Sequence, residues 1–239
     1  MKIVCTGDSL TRAQVSADYV QMLRERPAGV GGWDVTSAGV NYELSSGLRA
    51  RIGEVIDSDP DIVTVLIGTN DLRSALSAKD AASLRKRWKL TSAPTAATYR
   101  ENLSAIVSRL HASTHARVAL LSPPVIGEDP GSTPNQLAAT YAAIVREVAT
   151  EHGATYLPLF EQMLDYLRTH HQQPRTAFRP GVLLAATAAT QHFVLRRSFD
   201  SISRSRGLRL TTDTIHLNNR GATMIADLIS TFATQNRQY

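Results

Sequence analysis

The sequence has one cysteine among its 239 residues, Cys5, which excludes an intramolecular disulfide framework and any zinc site built on cysteine. Aromatic side chains are also scarce, at 6%. A dedicated nucleic-acid binder usually interleaves aromatics with a dense basic face, so no nucleic-acid partner is expected. No hydrophobic run is long enough to span a membrane, because the longest, Val182 to Leu195, is short and carries Gln191 and His192. A basic, apolar, small-residue leader is missing too. Met1-Lys2-Ile3-Val4 enters a strand-like run at once, so the expectation is a cytoplasmic protein, or a secreted one if a leader has been removed.

What is present suits a folded α/β chain. Hydrophobic residues make up 43% and charged residues 20%, enough for one sizeable core, and alternating β and α units often reach this length as one domain. The net charge of +5, from 26 Lys+Arg against 21 Asp+Glu, is spread along the chain and forms no tail. Short β-branched runs at Lys2–Thr6, Trp33–Ser37, Asp61–Ile67, Arg117–Leu121 and Thr155–Leu157 alternate with helical periodicity. This predicts a mostly parallel five-stranded sheet whose strands are buried on both faces between helices. Tyr99, Leu103, Ile106, Val107 and Leu110 share one helical face, and Leu137, Tyr141, Ile144, Val145 and Val148 share another. A last helix carries Ile225, Leu228, Ile229 and Phe232, and an early one Val15, Tyr19, Val20 and Leu23.

Two stretches interrupt the alternation and read as insertions in a domain covering 1–239, at about 72–95 and 168–210. The first holds Arg85-Lys86-Arg87-Trp88-Lys89, a solvated basic face that can make weak contact with anionic surfaces. The second holds Val182, Leu183, Leu184, Phe193 and Val194, the apolar side of an added helix or of a lid over an acyl pocket. His111 and His115 read as solvated helix-end residues, adjacent His170-His171 are poorly placed to share an ion, and Cys5 reads as a small buried hydrophobe. No metal and no cofactor is expected.

Ligands of open parallel sheets sit beyond the carboxyl ends of the strands. There the chain places Gly7-Asp8-Ser9-Leu10 after the first run, Gly39-Val40-Asn41 after the second, Gly68-Thr69-Asn70-Asp71 after the third, and Asp213-Thr214-Ile215-His216 before the last helix. These are the parts of an acyl-transfer site. Ser9 is a weak nucleophile until a base takes its proton. His216 can be that base, since an unperturbed imidazole with a pKa of about 6.5 is mostly neutral at pH 7. Asp213 can hold the imidazole in the required tautomer. The oxyanion of the tetrahedral intermediate needs donors, and the Ser9 N–H, the Gly39 N–H and the Asn70 side-chain amide can supply three. Taken singly, Ser9 reads as a helix N-cap and Asn70 as part of an Asx turn. Four such coincidences at one sheet edge favour a single site.

In this order the motifs closely resemble the SGNH, or GDSL, hydrolase family, whose four signature residues match Ser9, Gly39, Asn70 and His216. The resemblance implies a flavodoxin-like three-layer α/β/α sandwich and a metal-free serine esterase mechanism. It also implies small-molecule acyl ester substrates, from acetylated sugars to thioesters and lipids. The chain departs from the family pattern in the second block, with Ser37 and Leu44 where asparagine and threonine are common and with Tyr42-Glu43 between them. These residues bear on the support of the Gly39 loop and on the width of the pocket. The competing function is that of a non-catalytic flavodoxin-like protein that binds a ligand or phosphate at the Thr6–Thr11 loop.

Overall fold

The computed structural model describes residues 1–26, 32–170 and 174–235. Five strands form one sheet: β1 (Lys2–Gly7), β2 (Asp34–Gly39), β3 (Ile62–Leu66), β4 (Arg117–Leu121) and β5 (Thr155–Leu157). The helices among them are α1 (Ser9–Arg12), α2 (Tyr19–Arg24), α3 (Ser45–Ile56), α4 (Thr69–Leu76), α5 (Ala78–Trp88) and α6 (Ala96–Ser113). Further along are α7 (Thr133–His152), α8 (Leu159–Thr169), α9 (Leu183–Phe193), α10 (Phe199–Ser205) and α11 (Asn219–Thr234). The strand order is β2-β1-β3-β4-β5, and every neighbouring pair is parallel, the doubly wound flavodoxin-like order. Helix α6 packs on α3 and α7, and α11 packs on α2 and α8. With right-handed crossovers these two groups cover opposite faces of the sheet, giving three layers.

The expected runs become strands to within a residue or two, but burial divides them by position. β3 is buried throughout and β4 nearly so, whereas the edge strands β2 and β5 expose part of their length. Burial on both faces therefore holds only for the strands that have a neighbour on each side. Apolar faces close the layers: Tyr99, Leu103, Ile106, Val107 and Leu110 of α6, and Ile225, Ile229 and Phe232 of α11, are all buried. Cys5 is fully buried in β1, and burial pushes its thiol up to about 12. Among the described residues no helix is long and apolar enough to cross a membrane.

The helix expected after β1 is split. One turn, α1, ends at Ala13 in the left-handed conformation, and the chain resumes helical structure only at Tyr19. Val15 therefore lies outside any helix. The stretch at 72–95 begins inside α4, where Leu72, Arg73 and Ser74 are buried, and it continues as α5. The Trp88 indole N–H donates to the Tyr42 carbonyl at 2.8 Å, and the Arg87 guanidinium lies over the Tyr42 ring. The indole is thus tied to the loop after β2 and half-buried, while Arg85, Lys86, Arg87 and Lys89 are exposed. In the other stretch Val182, Leu183, Phe193 and Val194 are exposed, and Leu184 is half-buried. His171 lies outside the described residues, while His170 stacks on Tyr166 at 4.2 Å between ring centroids.

Candidate active site

The site lies at the carboxyl edge of the sheet, where the strand order reverses between β1 and β3. Asp8 caps α1 through a 3.0 Å hydrogen bond from the Leu10 N–H to its Oδ1, which presents Ser9 as the first helical residue. Ser9 is half-buried, and its Oγ lies 3.1 Å from His216 Nε2. The other ring nitrogen, Nδ1, lies 2.7 Å from Asp213 Oδ2. An ionised carboxylate only accepts, so Nδ1 carries the hydrogen and Nε2 is left to accept from the serine hydroxyl. Asp213 Oδ1 also accepts from the backbone N–H groups of Ile215 at 3.0 Å and His216 at 2.7 Å. Burial alone would raise the Asp213 carboxyl, but the charge and hydrogen bonds of His216 and these backbone donors outweigh it and hold it below its ordinary value.

The turn bearing this pair is tightly held. Thr211 and Leu217 form an antiparallel bridge, and the Thr212 N–H donates to the His216 carbonyl at 2.7 Å. At its tip Thr214 sits at φ 78°, a strained conformation for a β-branched residue, and its carbonyl accepts from the Gly127 N–H at 2.8 Å. Glu128, buried in the loop after β4, secures the strand side. Its carboxylate accepts from the N–H groups of Arg209 (2.6 Å), Leu210 (2.9 Å) and Thr211 (2.8 Å) and from the Thr211 hydroxyl (2.7 Å). From the other flank Ser16 Oγ accepts from the Leu217 N–H at 2.9 Å. Neither residue stands out by motif in the sequence. The available signal for Glu128 is a lone acid ending an apolar stretch, Val125-Ile126-Gly127, at the carboxyl end of a central strand.

Gly39 ends β2 directly against α1. A Cβ there would lie 2.3 Å from the Arg12 nitrogen and 2.6 Å from the Thr11 carbonyl carbon, so only glycine lets the two backbones approach. The Val40 N–H donates to the Gly7 carbonyl. Asn70, buried in the first turn of α4, donates from Nδ2 to the Glu43 carbonyl at 3.0 Å and accepts at Oδ1 from Arg73 Nη1 at 3.3 Å.

The residues that depart from the family pattern supply the support of the second block. The Glu43 carboxylate pairs with Arg51 Nε at 2.7 Å and Nη2 at 2.5 Å. Arg51 Nη2 also donates to the Ala38 carbonyl at 2.8 Å. Ser37 Oγ donates to the Thr11 carbonyl at 2.9 Å, and Asp71 accepts from Ser45 Oγ at 2.6 Å and Ser45 N at 3.0 Å.

Buried acids gather beneath the site. Burial pushes Asp8 up to about 7, with further raising by Asp71 and Glu43, and its Oδ2 has no partner among the described residues. Asp71 is pushed up to about 6, again chiefly by burial. This chemistry is unfavourable for a phosphate at the loop after β1. The Asp8 carboxylate already occupies the Leu10 N–H, and α1 offers a single turn of helix dipole.

The family model of the GDSL-like lipase/acylhydrolase family matches residues 5–224. No curated protein matches the chain. Among solved structures the fold is similar to that of Axe2, an acetylxylan esterase from Geobacillus stearothermophilus. The identity is 18%, with 100% of this chain and 97% of that chain covered and a TM-score of 0.68. It is also similar to the acetyl xylan esterase AlAXEase, at 20% identity, 98% and 100% coverage and a TM-score of 0.69. An α/β hydrolase enzyme, LAE5, from the metagenome of Lake Arreo in Spain is similar at 19% identity, 96% and 93% coverage and a TM-score of 0.64. Catalytic mutants of Axe2 replace a serine, a histidine, and an aspartate three positions before that histidine.

Proposed function

The chain belongs to the GDSL-like lipase/acylhydrolase family, and from that premise we propose that it hydrolyses carboxylic acyl esters through an acyl-enzyme formed on Ser9. The observation that carries this reading is the continuous hydrogen-bonded line from Ser9 Oγ through His216 to Asp213. Ser9 Oγ attacks the acyl carbonyl carbon while its proton passes to His216 Nε2. The resulting imidazolium is stabilised by Asp213, whose carboxyl is held ionised. The oxyanion takes hydrogen bonds from the Ser9 and Gly39 N–H groups and from the second Nδ2 hydrogen of Asn70, the first being spent on Glu43. Collapse breaks the bond to the alcohol oxygen, which leaves with the proton from His216. Water then attacks the acyl-enzyme as His216 takes its proton, the bond from the acyl carbon to Ser9 Oγ breaks as His216 returns that proton to Oγ, and the carboxylic acid departs.

Short acyl groups on small molecules or sugars are the favoured substrates. Two fold neighbours are acetylxylan esterases, and their aspartate-to-histidine spacing in Axe2 equals that of Asp213 and His216. Leu183 and Phe193 of α9 are exposed, an arrangement that favours a short acyl group over a long one.

The test is hydrolysis of p-nitrophenyl esters from acetyl to palmitoyl by the purified protein and by Ser9→Ala. Turnover should peak at acetyl and fall by at least about 10⁴-fold in the variant. A fluorophosphonate should add to Ser9 and to no other residue. Equal turnover by the two proteins would overturn the serine mechanism, and a maximum at long chains would overturn the short-acyl assignment.

A further inference from the structure

Arg73 is a guanidinium with 7% exposure, placed one helical turn after Asn70 on α4. A buried cation is costly unless it is paired and hydrogen-bonded. Arg73 is paired at both ends of its fork. Nη1 donates to Asn70 Oδ1 at 3.3 Å, and Nη2 lies 3.3 Å from Asp80 Oδ2 on α5 and 3.5 Å from the Gly181 carbonyl. Asp80 is itself buried, and its N–H is capped by Ser77 Oγ. Nε has no partner among the described residues, so the buried guanidinium stays one donor short, a cost to the fold.

The contacts of Asn70 give that cost a purpose. A side-chain amide can turn by half a revolution and exchange its oxygen and nitrogen with little change in shape. Here Oδ1 faces the Arg73 cation and Nδ2 faces the Glu43 carbonyl. The turned amide would set N–H against a guanidinium and oxygen against oxygen, losing both hydrogen bonds. Arg73 also withdraws electron density through Oδ1, which makes the remaining Nδ2–H a stronger donor to a developing negative charge.

We propose that Arg73 is a positioning residue of the oxyanion hole: from Asp80 and Gly181 it holds and polarises the Asn70 amide so that the free Nδ2 hydrogen faces the tetrahedral intermediate. The inference rests on Asn70 being an oxyanion donor. It assigns to the two added segments, through Asp80 of α5 and Gly181 ahead of α9, a direct hold on the acyl-transfer site.

The test is a double-mutant cycle on p-nitrophenyl acetate, with Arg73→Met and Arg73→Lys each made in the parent chain and in Asn70→Ala. Thermal melts of each protein are recorded alongside. Lysine keeps the charge but cannot bridge Asn70 and Asp80 together, so it carries the comparison if methionine prevents folding. The expected result is a fall in kcat of tenfold or more for Arg73→Met and of threefold or more for Arg73→Lys, with KM nearly unchanged. In the Asn70→Ala background both falls should shrink to less than twofold. Losses of equal size in both backgrounds, or no loss in the parent, would overturn the positioning role while leaving the oxyanion role of Asn70 intact. If Asn70→Ala itself keeps full kcat, the oxyanion assignment fails and the positioning role goes with it.

Discussion

At the scale of single residues, the proposed chemistry is divided between side chains that meet the substrate and side chains that hold them. Ser9 and His216 are within reach of each other because Asp8 caps the one turn carrying the serine and Asp213 fixes the imidazole tautomer. The strained Thr214 between Asp213 and His216 can persist only if its surroundings over-determine the turn. Glu128 is the main such constraint, with four donors converging on one carboxylate. Replacing it by glutamine would force an amide NH₂ toward those donors. Hydrogen bonds to a charged acceptor contribute about 1.5–3 kcal/mol each, and stranded buried donors cost a similar amount. Glu128→Gln should therefore lower unfolding free energy by about 2 kcal/mol or more in urea denaturation, and lower kcat through misplacement of His216. An unchanged urea midpoint would show that the carboxylate is dispensable to the turn.

At the scale of elements, the site exists because β2, β1 and β3 end side by side and their following loops interlock. Gly39 is one of the tight joints, since a Cβ there would lie 2.3 Å from the Arg12 nitrogen and 2.6 Å from the Thr11 carbonyl carbon. An alanine there has to push away the turn that carries Ser9. Gly39→Ala should thus cost activity well beyond its effect on folding, with kcat down by about a hundredfold, the scale of losing one oxyanion donor. Steady-state kinetics beside a melting curve would measure this, and a variant with wild-type kcat would remove Gly39 from the hole. Local signals explain why much of this was legible in the sequence. β-branched runs marked all five strands, 3.6-residue spacing marked Tyr99 to Leu110, and the loop motifs put Ser9, Gly39 and Asn70 at strand ends and His216 ahead of the last helix. What could not be read depends on contacts between distant residues. Glu128 meets Thr211 across 83 positions and Arg73 meets Gly181 across 108, and neither leaves a local period. The break after α1 is hidden in the sequence for the opposite reason. Val15 continues the helical spacing, and the left-handed Ala13 that ends the turn has no glycine to mark it.

At the scale of the whole molecule, the sheet's carboxyl edge concentrates buried acids, and this ties stability to pH. In the unfolded chain Asp8 ionises near 3.8, whereas in the fold burial pushes it up to about 7. Between those values the native state binds the proton that the unfolded state has released. Asp8 therefore favours folding most at the acidic end of that window, and its contribution is lost as pH rises toward 7. The difference corresponds to on the order of 4 kcal/mol for a fully buried group. Asp71, pushed up to about 6, acts in the same direction over a narrower range. Asp213 acts in the opposite direction, because its carboxyl is held below the ordinary value, but its contribution is lost only when pH falls beneath the usual carboxylate range. The two windows barely overlap, so the melting temperature should fall between pH 5 and pH 7.5. Asp8→Asn separates the causes, as asparagine keeps an oxygen for the Leu10 N–H and has no charge to bury. Thermal melts across this range should show a flatter dependence for the variant, with a higher melting temperature than the parent at pH 7.5 and a similar one at pH 5. A parent whose melting temperature rises with pH over the same range, unaffected by Asp8→Asn, would mean that Asp8 is ionised and compensated in the native state.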